Sequence, residues 1–210
     1  MNELFNLSKY AAKKASEVIL KYYNSSYEVQ MKGKGNPVTD ADIEADDILK
    51  EILMSETSGF GWLSEETRDS GERLNKSMVW VVDPLDGTKE FVEGIPNFVI
   101  SIGLVKEGNP VLGVIYNPVS EELFSAYKNS GVSLNGSLFK ISNKLDFSQM
   151  SMLNSRSETR SNLWKPYGNF FNKLIPIGSI AYKLAMVSSN KADMVASLKP
   201  KNEWDICAGH

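Results

Sequence analysis

The sequence has few of the residues from which most hydrolytic centres are built. Its 210 residues include one cysteine, Cys207, and one histidine, His210. A lone cysteine excludes an internal disulfide and fits a reducing cytoplasm. A lone histidine argues against a His-rich zinc site, so any metal here must be held by oxygen. Positive charge is also short: 23 Lys and Arg face 26 Asp and Glu, a formal charge of −3. Nothing in that balance attracts a nucleic-acid polymer or an anionic membrane in general. No apolar run approaches the roughly 20 residues that span a bilayer. The opening Met1–Leu7 is amphipathic rather than basic then apolar, so no signal peptide is expected. Repeats, low-complexity tracts and linkers are missing too.

What the chain does have is concentrated in residues 80–88, Trp-Val-Val-Asp-Pro-Leu-Asp-Gly-Thr. An apolar strand runs into two carboxylates, Asp83 and Asp86, with Pro84 between them and Gly87-Thr88 after them. Proline fixes the backbone and removes a donor, and Asp-Gly turns the chain. Hard oxygen ligands beside free backbone N–H groups suit a divalent cation together with a phosphate. Asp-Gly after a hydrophobic run is also a common hairpin signal, and taken alone it would mean only a turn.

Periodicity supplies the frame. Leu4, Leu7, Ala11, Ala15, Val18, Ile19 and Tyr22 predict an amphipathic helix over 3–23. Lys32–Pro37, rich in Gly and Lys, reads as a mobile loop. Thr39 with Asp42 three residues on is a capping-box variant opening a second helix. Residues 78–83, 98–106, 110–117 and 121–127 read as strands of a meander, followed by an Asn135-Gly136 turn. Residues 146–210 read as mixed α/β, with a helix over Ser179–Ser189 and a short strand over Asp193–Ser197. The expected organisation is an α+β half, 1–145, carrying the main site, and an α/β half, 146–210, packed tightly against it. Trp204–His210 reads as the first turn of a helix without a body, and one turn is not stable alone. The expectation is therefore a fold truncated at its C-terminal end, or completed by something else.

Acidic residues recur elsewhere: Asp40 after Pro37-Val38-Thr39, Glu65-Glu66 after Ser64, and Asp205 after Trp204. Singly, Asp40 and Asp205 could merely favour helix N-termini, and Glu65-Glu66 could be a solvated pair. Together, Pro37-Val38-Thr39-Asp40, Ser64-Glu65-Glu66, Asp83-Pro84-Leu85-Asp86-Gly87-Thr88 and Trp204-Asp205-Ile206-Cys207-Ala208-Gly209 resemble the inositol monophosphatase superfamily. These are magnesium-dependent, lithium-sensitive phosphatases. The resemblance covers nearly the whole chain.

The resemblance implies a layered α-β-α-β-α sandwich with the metal site between its halves. It implies that Glu65, Asp83 and the Leu85 carbonyl bind one Mg²⁺, that Asp83, Asp86 and Asp205 bind a second, and that a third, weaker ion sits near Glu65. The Gly87 and Thr88 amides would hold the phosphate, and the Thr88 hydroxyl, oriented by Asp40, would position the attacking water. The implied partner is a small phosphorylated substrate, and a homodimer is compatible with the resemblance.

For the substrate, the resemblance divides. Thr88-Lys89-Glu90-Phe91, Asn202-Glu203-Trp204-Asp205 and Gly178-Ser179 followed by Lys183 are similar to 3′(2′),5′-bisphosphate nucleotidases. Phe91–Pro96 followed by Ser101-Ile102-Gly103 is similar to inositol monophosphatases. The nucleotidase reading is favoured, with hydrolysis of the 3′-phosphate of adenosine 3′,5′-bisphosphate. It makes Ser179 and Lys183 nucleotide contacts, with Lys183 pairing a second phosphate. The plain alternative for Lys183 is a solvent-facing helix lysine. Inositol-1-monophosphatase or a fructose-1,6-bisphosphatase-like activity is the alternative enzyme. A non-enzymatic metal- or phosphate-binding protein, inactive through truncation, is the alternative outside catalysis.

Overall fold

The computed structural model describes residues 1–23, 25, 29–33, 36–140, 144 and 146–210. In chain order its first half contains α1 (Asn2–Tyr23), β1 (Val29–Gly33), β2 (Asn36–Thr39), α2 (Asp40–Glu56), β3 (Gly61–Ser64), β4 (Met78–Asp86), α3 (Thr88–Val92), β5 (Val99–Lys106), β6 (Asn109–Asn117), β7 (Glu122–Tyr127), β8 (Val132–Leu134) and β9 (Ser137–Leu138). Then follow β10 (Ser151–Ser155), α4 (Arg156–Arg160), β11 (Lys173–Ile177), α5 (Ile180–Ser188), β12 (Met194–Val195) and α6 (Glu203–Ile206).

Strands β3 to β9 form one seven-stranded sheet in sequence order, parallel at β3–β4 and antiparallel elsewhere. Successive side chains on a strand point to opposite faces, and both faces here are covered. Trp80 and Val82 of β4, Ile100, Ile102 and Leu104 of β5, and Leu112 and Val114 of β6 pack against Ala11, Ala15 and Ile19 of α1 and Ala45, Leu49 and Leu53 of α2. On the other face, Val99, Ile115 and Phe124 meet Ala181, Tyr182 and Ala185 of α5. Val81 and Leu63 meet Cys207, just past α6. Beyond α5 lies a three-stranded parallel sheet in the order β11-β10-β12. The layered α/β sandwich expected from the resemblance is what the chain forms.

Two paired glycines explain how α6 reaches the large sheet. Gly103 and Gly113 face each other across β5 and β6. A Cβ on Gly113 would lie 2.2 Å from the carbonyl oxygen of Ala208, and one on Gly103 would lie 2.6 Å from Cys207 Sγ. Glycine inside a strand marks such close approaches. Here they seat the segment that carries Asp205.

Two local expectations are corrected. Lys32-Gly33 and Asn36-Pro37 are not loop but the inner ends of an antiparallel hairpin, β1–β2, with Met31 opposite Pro37 and Gly33 opposite Asn36. Residues 34–35 lie outside the described residues. The short strand expected over Asp193–Ser197 is paired only at Met194–Val195.

Candidate active site

Strand β4 does not end at Asp83 but continues to Asp86. Residues three apart on a regular strand point to opposite faces. The pairing with β5 skips between Asp83 and Asp86: Asp83 lies opposite Ser101 and Asp86 opposite Val99, so Pro84 and Leu85 together span one partner position. This bulge adds the extra residue that returns both carboxylates to one side. Pro84 fits there because a bulge asks for no ladder donor. The Leu85 N–H donates to Asp83 Oδ1 at 3.0 Å, which tightens the turn.

Asp83 and Asp86 open into a cleft of about 290 Å³ lined also by Glu65, Leu85, Gly87, Thr88, Lys183, Lys201 and Asp205. Carboxylate oxygens of Glu65, Asp83 and Asp205 lie within 4.8 Å of one another. Asp83 is 1% exposed. Its Oδ2 accepts no hydrogen bond among the described residues. Burial, then the charges of Asp86, Glu65 and Asp205, pushes its carboxyl well above the usual carboxylate range. A buried carboxylate oxygen with no donor and three anionic neighbours fits a hard divalent cation.

Asp86 stands beside that trio rather than within it. Its Oδ2 accepts from Ser179 Oγ and from the Ala181 N–H, both at 2.6 Å. Burial pushes the Asp86 carboxyl up to about 6; the Ser179 hydroxyl and Lys183 pull the other way, and Asp205 adds to the rise. Asp205 is likewise raised, by burial, against the Asn202 N–H that donates to its Oδ2 at 2.8 Å.

Thr88 is held by Asp42, not by Asp40. Its hydroxyl donates to Asp42 Oδ1 at 2.9 Å, with the Leu85 carbonyl 3.1 Å away. The other Asp42 oxygen accepts from the N–H and hydroxyl of Thr39 at 2.7 and 2.6 Å, the expected capping box. Asp40 is the first residue of α2, lies near Tyr22 and does not line the cleft. One turn further along α2, Asp46 accepts from the Ser64 hydroxyl and from Thr67 Oγ1 at 2.5 Å. It thereby fixes the segment that presents Glu65. Neither role of α2 follows from composition; the i, i+4 spacing of Asp42 and Asp46 was the available signal.

Gly87 adopts φ +105°, and a Cβ there would meet the Asn97 carbonyl oxygen at 2.9 Å, so only glycine fits. Ser179, expected to touch substrate, is buried: its hydroxyl donates to Asp86 and accepts from the Tyr182 N–H at 3.0 Å. It orients Asp86 and lies on the wall of the same cleft. Lys183 is not the solvent-facing lysine of the plain alternative. It is 3% exposed, and its Nζ donates to the Ile177 carbonyl at 3.0 Å. Burial pushes its ammonium down to about 8, against the charge of Asp86.

The Inositol monophosphatase family model matches residues 1–210. Inositol monophosphatase 3 of Solanum lycopersicum is 30% identical over 219 residues, covering all of this chain and 82% of that protein. The Nus factor SuhB of Pasteurella multocida is 30% identical over 218 residues, covering all of this chain and 81% of that protein. The crystal structure of the extragenic suppressor protein suhB from Bartonella henselae superposes with a TM-score of 0.87 at 29% identity, over 97% of this chain and 81% of that one. By sequence and by fold, the chain belongs to the inositol monophosphatase family of metal-dependent phosphatases.

Proposed function

We propose that the chain is a Mg²⁺-dependent phosphate monoester hydrolase of the cytoplasm that acts on a small phosphorylated polyol of the inositol phosphate type. The observation that carries this reading is Asp83 Oδ2, which has no donor among the described residues and faces Glu65 and Asp205 in the cleft that also holds Thr88. Glu65, Asp83 and Asp205 would hold the cation, with Asp86 and the Leu85 carbonyl beside them. When bound, Mg²⁺ supplies Lewis acidity toward water and toward the phosphate's non-bridging oxygens. Thr88 is the catalytic residue in this reading. Asp42 fixes the direction of its hydroxyl and accepts its hydrogen bond, so as the Thr88 oxygen takes a proton from water placed in line with the ester, its own proton passes to the Asp42 carboxylate. The Gly87 and Thr88 N–H groups would donate to the phosphate, and the fixed donors leave little to reorganise during attack. No side chain forms a covalent bond to phosphorus.

The inositol monophosphatases among the relatives support the polyol reading. A second reading, removal of the 3′-phosphate of adenosine 3′,5′-bisphosphate, is favoured by Lys183. A buried cation beside Asp86 on the cleft wall suits a second anionic group on the substrate. Phosphate release measured side by side from inositol 1-phosphate, adenosine 3′,5′-bisphosphate and fructose 1,6-bisphosphate, with Mg²⁺ titrated, separates the readings. Preference for the bisphosphorylated nucleotide would move the assignment to the second. Release from none, by a folded chain that binds Mg²⁺, would leave the non-enzymatic binding protein.

A further inference from the structure

The five-residue helix α4 reaches both flanks of the cleft. On one side, Arg156 donates from Nη1 to Glu90 Oε1 and from Nη2 to Glu93 Oε2, both at 2.7 Å. Arg160 adds a two-pronged pair to Glu93 at 2.9 Å from each nitrogen. Glu90 and Glu93 belong to the stretch that begins with Thr88. Glu90 is also wedged against Gly178, where a Cβ would sit 2.0 Å from its Cδ. Arg156 thus ties α3 to α4, while Glu90 itself packs at the junction of β11 and α5.

On the other side, Glu158 is 1% exposed. Its Oε1 accepts from Ser197 Oγ at 2.9 Å and from the Leu198 and Lys199 N–H groups at 3.1 Å. Its Oε2 accepts from Trp164 Nε1 at 2.8 Å. Burial alone would push this carboxyl up, but these donors outweigh it and hold it below its ordinary value. Residues 197–199 lead directly into Pro200, Lys201 and Asn202, which line the cleft, and then into Asp205. Ser155, Ser157 and Arg160 line the cleft between the two flanks.

The Arg156–Glu90 pair is largely shielded from water while Glu93 and Arg160 are exposed, so these pairs add little net stability and act chiefly through where they place the groups they join. We propose that α4 is a clamp that fixes the width of the leaving-group half of the cleft, with Arg156 and Glu158 as its positioning residues. Neither touches the reacting atoms. Arg156 sets the Thr88–Glu93 wall and Glu158 sets the 197–202 wall, so the two together select substrates by the size of the alcohol released. This inference rests on the phosphatase reading of the same cleft.

The test uses the full chain with E158Q, R156Q and, as a milder change to the same anchor, S197A. Steady-state constants are measured for 4-nitrophenyl phosphate, whose leaving group is small and flat, and for inositol 1-phosphate and adenosine 3′,5′-bisphosphate. E158Q and R156Q should raise KM for the two larger substrates about fivefold or more while leaving that for 4-nitrophenyl phosphate within about twofold. S197A should move the same ratio in the same direction by a smaller factor. Hydrogen exchange is followed in parallel and needs no turnover. Amides of 197–202 should exchange roughly tenfold faster in E158Q with 86–94 unchanged, and R156Q should show the reverse. Equal losses on all three substrates that follow the loss of Tm, or unchanged exchange in both segments, would overturn the clamp. A wild-type chain that hydrolyses none of the esters would overturn the phosphatase reading instead, and the exchange patterns would still decide the clamp.

Discussion

Asp83 is the residue on which the site turns. Its carboxylate is buried, its Oδ2 has no donor among the described residues, and three other acids surround it. Asp83→Asn should reduce phosphate release by about a thousandfold or more, because it removes the charge at the centre of the cation site. Thr88→Ala should slow turnover about a hundredfold while leaving Mg²⁺ affinity nearly unchanged, since the hydroxyl acts on water rather than on the ion. Calorimetric titration of Mg²⁺ beside initial rates checks both; equal losses of affinity would refute the division. Asp42→Asn should lower kcat about tenfold to a hundredfold, whereas Asp40→Asn should stay close to wild type. The reverse order would return the orienting role to Asp40. The sequence assigned Asp42 to the helix cap alone, yet a carboxylate has two oxygens. One caps α2 through Thr39 and the other holds Thr88. Spacing along a chain reveals the first use and not the second, because Thr88 lies 46 positions away.

Among the elements, the bulge in β4 and the flat spot on β5–β6 decide where ligands sit. Ala at position 113 would collide with the Ala208 carbonyl and push α6 off the sheet, carrying Asp205 with it. Gly113→Ala should therefore destabilise the chain by about 1–3 kcal/mol and weaken Mg²⁺ binding as well. Thermal unfolding and metal titration on the same preparation would show both losses; a loss of stability with unchanged affinity would mean that α6 does not depend on this seat. The long strands and α1, α2 and α5 were legible because a buried face repeats with a period of 2 or 3.6. The β1–β2 hairpin was not, since Gly33, Gly35 and Pro37 argue locally for loop while pairing across the strands wins. Helix α4 was missed for a different reason: five residues carry too little periodicity to register, and its worth lies in the charges of Arg156, Glu158 and Arg160 reaching other elements.

At the scale of the whole molecule, the fold gathers the buried carboxylate of Asp83 and the half-buried ones of Asp86 and Asp205 beside Glu65 into one anionic cleft. The carboxyl of Asp86 is raised by burial from 3.8 to about 6, and those of Asp83 and Asp205 are raised as well. A raised acid binds more protons in the native than in the unfolded state, so stability falls as pH rises through that window. In chelator, the Tm should thus drop by roughly 3–6 °C between pH 4 and pH 6 from this source. With Mg²⁺ present the slope should flatten or reverse, because the cation binds the deprotonated carboxylates. Glu93 and Glu158, held below their ordinary values, act in the opposite sense, so the check is the difference from Asp86→Asn: a metal-free variant with the same pH slope as wild type would show that Asp86 is not its source. The acidic pattern was readable in advance, since order and residue type survive in one dimension, and the layered sandwich was expected only through the family resemblance that this pattern carries. The width of the cleft was not, because it depends on Glu90, Arg156 and Glu158 meeting partners 39 to 66 residues away.

The most direct test is diffraction at the manganese absorption edge from a crystal of the chain soaked in Mn²⁺ and phosphate. The expected result is an anomalous peak within ligand distance of Glu65, Asp83 and Asp205, with phosphate density adjoining the Gly87 and Thr88 amides. An ordered cleft with those three carboxylates in place and no peak between them would contradict it.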